Sequence, residues 1–253
     1  MGELVSVITP AYNSSRFIAD AIASVISQTY SNWEMVIVDD GSEDKTVEVV
    51  FAFGDPRIRC ISHPVRLGAA EARNTALREA HGRWVAFLDS DDMWEPTKLE
   101  RQLRFMEDNG YAFSYTPYLE MNADKCPTGR MVFGPKHIGK CGMYAYCWPG
   151  CLTVMYDTRL TGIVQTRNLD ITDDYAIWLK VVSVTTCHLL NEPLARHRVV
   201  PGSLSDRSYS YKIGWHYRLF RQAEGMGVLT SVLFTAANIC FGTIKKLFYI
   251  RRG

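Results

Sequence analysis

The chain has 253 residues, a formal net charge of +1, 47% hydrophobic residues and 22% charged residues. That length buries a full core without disulfide or metal staples, and the composition excludes disordered and fibrous classes. A balance this close to neutral argues against nucleic acid as a partner for the whole surface.

Seven cysteines form no paired framework, and no basic, apolar and small-residue run follows Met1. Both predict a reduced, cytoplasmic compartment with no secretory signal. Charge is uneven, however. Arg207 to Gly253 holds eight basic residues and one acidic, so this tail carries +7 and the remaining body −6.

In chain order, Val5–Thr9 is short, β-branched and apolar, and predicts a strand. Ser14 or Ser15 is placed to cap a helix through Phe17, Ala21, Ile22 and Val25. Met35–Val38 predicts the next strand, 44–53 a helix, Ile58–Ser62 an extended segment, Ala69–His81 a helix and Val85–Leu88 another strand. An amphipathic helix follows Pro96. From Phe113 to Pro149 the pattern loosens. Leu152–Tyr156 then predicts a strand and 173–182 a helix. Strands alternating with helices imply right-handed βαβ units, an α/β fold and a mostly parallel central sheet. The organisation expected is a domain over 1–206, with a binding half at 1–110 and a substrate-shaping half at 111–206, then a basic amphipathic helical tail at 207–253.

Two strands end in acid, Asp39-Asp40 and Asp89-Ser90-Asp91-Asp92. Ligands of open parallel sheets bind beyond those strand ends. Carboxylates converging there call for a hard divalent cation, Mg²⁺ or Mn²⁺, which brings phosphates with it. Arg73 lies on the helix between the two strands and suits phosphate oxygens. The bland reading is that these acids form turns and caps. Neither a dinucleotide fingerprint nor a P-loop is present.

Val5-Ser-Val-Ile-Thr-Pro-Ala-Tyr-Asn13, Val36-Ile-Val-Asp-Asp-Gly-Ser42, Gly68-Ala-Ala-Glu-Ala-Arg-Asn74 and Phe87-Leu-Asp-Ser-Asp-Asp92 together resemble the inverting glycosyltransferases of family 2, which have the GT-A (Rossmann-like) fold. The resemblance spans about residues 4–205 and implies a nucleotide-sugar donor, UDP-linked by expectation. It implies a donor site at Pro10, Ala11, Tyr12, Asp39, Asp40, Arg73, Asp89 and Ser90. In it Tyr12 stacks on the base, Asp40 accepts from the uracil N–H, Arg73 nears the diphosphate, Asp89 binds ribose and Asp91 holds the metal. Asp174 falls at the family's base position, with Asp173 where most members carry glutamate; capping by Thr172 and Asp173 is the bland alternative there. Val200 stands where relatives often have histidine. His197, three residues earlier, falls on the opposite face of a strand by parity. Arg198 is a candidate for phosphate contact or for holding the loop.

Cys126, Cys141, Cys147 and Cys151 contain no Cys-x-x-Cys pair, so buried or loop thiols are expected rather than zinc. Trp148 suits either a sugar ring or the core, Trp178 the core, and Asp92 a turn cap before Pro96. In the tail, 225–244 carries no charge. As a helix it sets Leu229, Leu233, Ala237, Cys240, Ile244 and Phe248 on one face and Ser231, Thr235, Asn238, Gly242 and Lys245 on the other. That pattern favours an anionic membrane surface over a packed helix, a homodimer contact or a span. The expectation is a metal-dependent glycosyltransferase at the inner face of the cell membrane, acting on a saccharide or lipid-linked saccharide acceptor in surface-polysaccharide assembly. A silent nucleotide-sugar binding subunit and a nucleotidyltransferase are the competing classes.

Overall fold

A computed structural model describes residues 2–166, 173–200 and 209–252. The first half alternates as expected: β1 (Val5–Ala11), α1 (Ile18–Ile26), β2 (Trp33–Asp39), α2 (Thr46–Phe51), β3 (Ile58–Ser62), α3 (Ala69–Arg78) and β4 (Trp84–Phe87). Then come β5 (Met93–Trp94), α4 (Lys98–Asn109), β6 (Phe113–Tyr115), β7 (Tyr118–Met121), β8 (Pro127–Val132), β9 (His137–Ile138) and α5 (Lys140–Ala145). The remainder is β10 (Met155–Asp157), α6 (Thr158–Thr161), α7 (Asp173–Val181), β11 (Cys187–Leu189), β12 (Ala195–Arg198), α8 (Tyr209–Arg218), α9 (Val228–Phe248) and β13 (Ile250–Arg252).

Eight strands form the main sheet in the order β3-β2-β1-β4-β10-β6-β11-β9. Strands β3, β2, β1 and β4 run parallel, while β10 is antiparallel to both its neighbours. Both faces are apolar, and the period of two divides each strand between two cores. Val7, Met35, Ile37 and Ala86 pack on the side of α1 and α4. Ile8, Val36, Val38, Val85 and Phe87 pack on the side of α3 and α7, where Phe87 meets the buried Trp178 edge-on at 4.9 Å.

Three expectations change. Neither Ser14 nor Ser15 caps α1 through its side chain; the Ser14 hydroxyl instead meets Ser90 Oγ at 2.7 Å. The strand expected from Leu152 begins at Met155, after a 3-10 turn over Cys151–Thr153. The loose stretch 113–149 supplies strands to a second sheet, β13-β8-β7-β12-β5. Its short, irregular strands carry little alternation, so they were not legible as strands.

The described part of the tail, 209–252, packs against the rest. Leu219 and Phe220, in a π turn, are fully buried in the core beside α7. β13 pairs antiparallel with β8. Helix α9 turns its polar stripe inward: Ser231, Thr235 and Asn238 are buried, while Leu229 (74% exposed), Leu233 (61%), Leu247 (69%) and Phe248 (70%) face out. By length and composition α9 is the one described helix able to cross a membrane. A span would strip that polar stripe from its partners, among them the Tyr144 carbonyl that accepts from Asn238 Nδ2.

Lys98 is buried at the start of α4, donating to Gln102 Oε1 at 2.6 Å with its ammonium 4.3 Å from the Trp94 ring. Burial pulls its pKa down to about 7, against 10.5 ordinarily. Between those values the unfolded chain binds a proton that the folded one lacks, so stability rises with pH. Lys98→Met should therefore raise the thermal midpoint most at or below pH 7. The gain should shrink towards pH 10.5 in a melting series across pH; a gain independent of pH would contradict this.

Candidate active site

The sheet's parallel strands end at one edge, where β1 and β2 finish in register at Ala11 and Asp39. Two turns are stitched together there. Asn13 N–H donates to Ser42 Oγ and Glu43 N–H donates to Asn13 Oδ1, both at 2.9 Å. Gly41 has φ +72°, and a Cβ there would lie 3.0 Å from the Arg66 nitrogen. Only glycine meets both demands, which explains the Asp-Asp-Gly-Ser turn chemistry.

A cleft of about 480 Å³ opens beyond this edge. Pro10, Ala11, Tyr12, Asp40, Arg73, Asp89, Ser90 and Asp91 all line it. So do Arg66, Asp92, His197 and Arg198. Arg66 sets its guanidinium 4.1 Å from the Tyr12 ring centre, and Arg73 donates to Asp89 Oδ1 at 2.5 Å. Another cavity, of about 310 Å³ beside Tyr111, His137 and His188, lies at the β9 end of the sheet, away from these acids.

Two acids of the second turn do structural work. Asp40 accepts from the Leu67 and Gly68 N–H groups and sits 2.8 Å from His63 Nδ1, so it anchors the loop that carries Arg66. Asp39 is not among the residues lining the cleft. Its Oδ2 accepts from Ser42 N–H, and its Oδ1 is buried with no hydrogen-bond partner among the described residues.

The acids after β4 face one another. Burial, then the charges of Asp92 and Asp89, push the Asp91 carboxyl up to about 7. Burial works to lower His197, but its contact with Asp92 and the nearby acids prevail and raise it to about 9. Its Nδ1 lies 3.1 Å from Asp92 Oδ1. Strand parity set His197 on the opposite face; the structure brings it into the cleft, because β12 pairs directly with β5, the strand that leaves the acids. Asp92 accordingly reaches to β12, accepting from Arg198 N–H at 2.8 Å, instead of capping the turn before Pro96.

Arg198 is consumed by the scaffold. It is buried, donates to the Asp91 and Ala123 carbonyls, and pairs with Asp20 at 2.9 Å. It holds the loop. Trp148 is core: 6% exposed, it packs on Tyr146 and Tyr249 with ring centres 5.1 Å away in each case, so no sugar reaches its face. None of the seven cysteines is in a disulfide.

Asp174 is not among the residues lining the cleft. It opens α7, which packs on α3 and α5, and its Oδ1 accepts from the Tyr175 N–H. The Asp173 side chain, Thr172 and the Ser-rich end of the loop after Val200 lie outside the described residues.

A hard cation suits the donor set at Asp91. Clustered carboxylates short of positive charge explain why Asp91 resists ionising, and oxygen ligands are what Mg²⁺ and Mn²⁺ take. Among the described residues no group of three or more His, Cys, Asp or Glu side chains converges on one point. That arrangement fits an ion held by one or two carboxylates together with substrate phosphates.

Residues 6–131 match the family model for glycosyl transferase family 2. TuaG of Bacillus subtilis (strain 168), whose assigned role is as a glycosyltransferase of teichuronic acid biosynthesis, is 42% identical over 96% of this chain and 95% of its own. The chain belongs to glycosyltransferase family 2. WfgD of Escherichia coli, a UDP-Glc:alpha-D-GlcNAc-diphosphoundecaprenol beta-1,3-glucosyltransferase, is 37% identical over 99% of this chain and 98% of its own. In structure, S. aureus TarS residues 1–349 in complex with UDP-GlcNAc aligns with a TM-score of 0.72. It does so at 19% identity, over 94% of this chain and 72% of that one. The α/β architecture is thus the GT-A fold, and the protein is a glycosyltransferase.

Proposed function

We propose that this enzyme is metal-dependent and inverting, and moves a sugar from a UDP-sugar to a hydroxyl of a lipid-linked saccharide during surface-polysaccharide synthesis. The carrying observation is the cleft. It gathers an aromatic ring, two guanidinium groups and the Asp89–Asp91–Asp92 cluster at the ends of β1 and β4. Tyr12 offers a face to the base. Arg66 and Arg73 suit phosphate oxygens. Asp89 accepts from ribose hydroxyls, and Asp91 would hold Mn²⁺ or Mg²⁺. When bound, the ion supplies charge neutralisation to the departing nucleoside diphosphate.

Inversion by single displacement requires the acceptor hydroxyl to lose its proton as it attacks. Asp174 serves as that base. The UDP in the proposal is supported by WfgD, which uses UDP-Glc, and by TarS, which was solved with UDP-GlcNAc; the lipid-linked acceptor is supported by WfgD. Asp174→Asn should lower turnover by at least ~10²-fold while leaving UDP affinity in place. Steady-state kinetics beside calorimetry checks both. Undiminished turnover would remove Asp174 from the mechanism.

Peripheral attachment to the inner membrane face follows from α9. Its outer face carries Leu229, Leu233, Leu247 and Phe248, with exposed Lys246 and Arg251 at its end. Apolar residues flanked by basic ones suit an anionic bilayer surface. Removing the tail would also remove β13 and core residues, so point substitutions are the cleaner test. Leu233→Glu with Leu247→Glu should cut flotation with phosphatidylglycerol vesicles by at least about tenfold, with an unchanged melting midpoint. Undiminished flotation would contradict the surface role.

A further inference from the structure

A third opening, of about 140 Å³, lies between the segment after α5 and the pair α8–α9. Tyr146, Ile213, His216, Asn238, Ile239, Gly242 and Lys246 line it. It has room for a few water-sized groups and is far too small for a nucleotide. Its position matters more than its size. At one end His216 lies 6.2 Å, ring to ring, from Tyr175, the residue after Asp174. The Asp174 charge also reaches Cys147, next to Tyr146, whose thiol burial and that charge push up. At the other end, Ile239 and Lys246 lie on the edge of α9 where its buried polar stripe gives way to the exposed apolar face.

The walls are held in place. Lys245 Nζ donates to the Trp148 carbonyl at 2.8 Å and sits 5.3 Å from the centre of the Tyr146 ring. A Cβ on Gly242 would lie 3.2 Å from Tyr146 Cε2, so glycine lets the helix approach the ring. The result joins a cationic side chain and an imidazole to an apolar exit: Ile213, itself 39% exposed, and Ile239.

We propose that this crevice holds the diphosphate of a prenyl-diphosphate-linked saccharide acceptor. Lys246 and His216 face the phosphate oxygens, the sugar points to Asp174, and the prenyl chain leaves over Ile213 and Ile239 to the membrane side of α9. The inference deepens the acceptor reading above and rests on it. An ammonium is a point-charge partner for phosphate, and the aliphatic flank adds burial for the first isoprene units. At this edge of α9 a charge and an apolar path lie side by side, between the proposed base and the proposed bilayer face.

The test is calorimetric binding of farnesyl diphosphate to the full chain, with and without saturating UDP and Mn²⁺. Binding should survive UDP and weaken about tenfold in Lys246→Glu and again in His216→Gln, a loss of one charge-assisted contact each. UDP affinity should be unchanged in both variants. Displacement of farnesyl diphosphate by UDP, or indifference to both substitutions, would overturn the proposal. Equal binding of inorganic pyrophosphate would overturn it too, by showing an anion site with no prenyl preference. Phosphatidylglycerol vesicles form a further arm: if they compete fully, the site reads headgroups and the proposal fails. Farnesyl diphosphate bound through Lys246 by a protein that binds no UDP would support this site and sink the donor reading.

Discussion

Three carboxylates, Asp89, Asp91 and Asp92, sit within one turn at the end of β4, and their mutual repulsion is the constraint around which the rest is arranged. Like charges at such spacing do not stay together unless cations reach them. Two of them are answered from elsewhere in the chain. Arg73 comes from α3 to Asp89, His197 from β12 to Asp92, and Arg198 holds the Asp91 backbone while its charge is met by Asp20 of α1. The second sheet has its purpose here. By pairing β12 with β5 it returns the chain, more than a hundred residues later, to the acids it left. What remains under-neutralised is Asp91, and that residual deficit is the property a metal–diphosphate unit would satisfy.

The same economy appears in α9. An amphipathic helix ordinarily buries its apolar stripe, yet this one buries Ser231, Thr235 and Asn238 and exposes leucines. Inversion has a physical basis in the hydrogen bonds these residues make. Ser231 and Thr235 donate back to carbonyls one turn earlier, and Asn238 reaches the Tyr144 carbonyl, so few polar atoms are stranded. The helix fastens to the rest through these polar contacts together with the Phe234 and Phe241 rings, and leaves its leucine face exposed. Lys245 and the Tyr146–Trp148 pair link that helix to the segment before Asp174, so a surface bound by α9 would lie next to the proposed base. The net charge of +1 hides this division, since an acidic body and a basic tail cancel.

Much of the first half was legible because its signals are local. Continuous apolar runs gave β1, β2 and β4, and acids at their ends gave the cleft. Eight of the expected cleft residues line it together. What escaped depends on pairing between distant segments. His197 lies in the cleft because of strand partnership, which parity along one strand does not encode. Asp40 and Asp39 share a motif, but hydrogen bonds from the 63–68 loop and the Gly41 turn decide what each carboxylate does. Trp148 was ambiguous between sugar and core until Phe241 and Tyr249, from the far end of the chain, were seen to cover it. Helical spacing sets the two faces of α9, whereas tertiary partners decide which of them turns inward.

Calorimetric titration of UDP in the presence of Mn²⁺, repeated with chelator and with Asp91→Ala, tests the central claim most directly. Saturable binding with the ion is expected, with a loss of at least about tenfold in each of the other two cases, since Asp91 would hold the ion that neutralises the diphosphate. Affinity that is the same in all three titrations would contradict it.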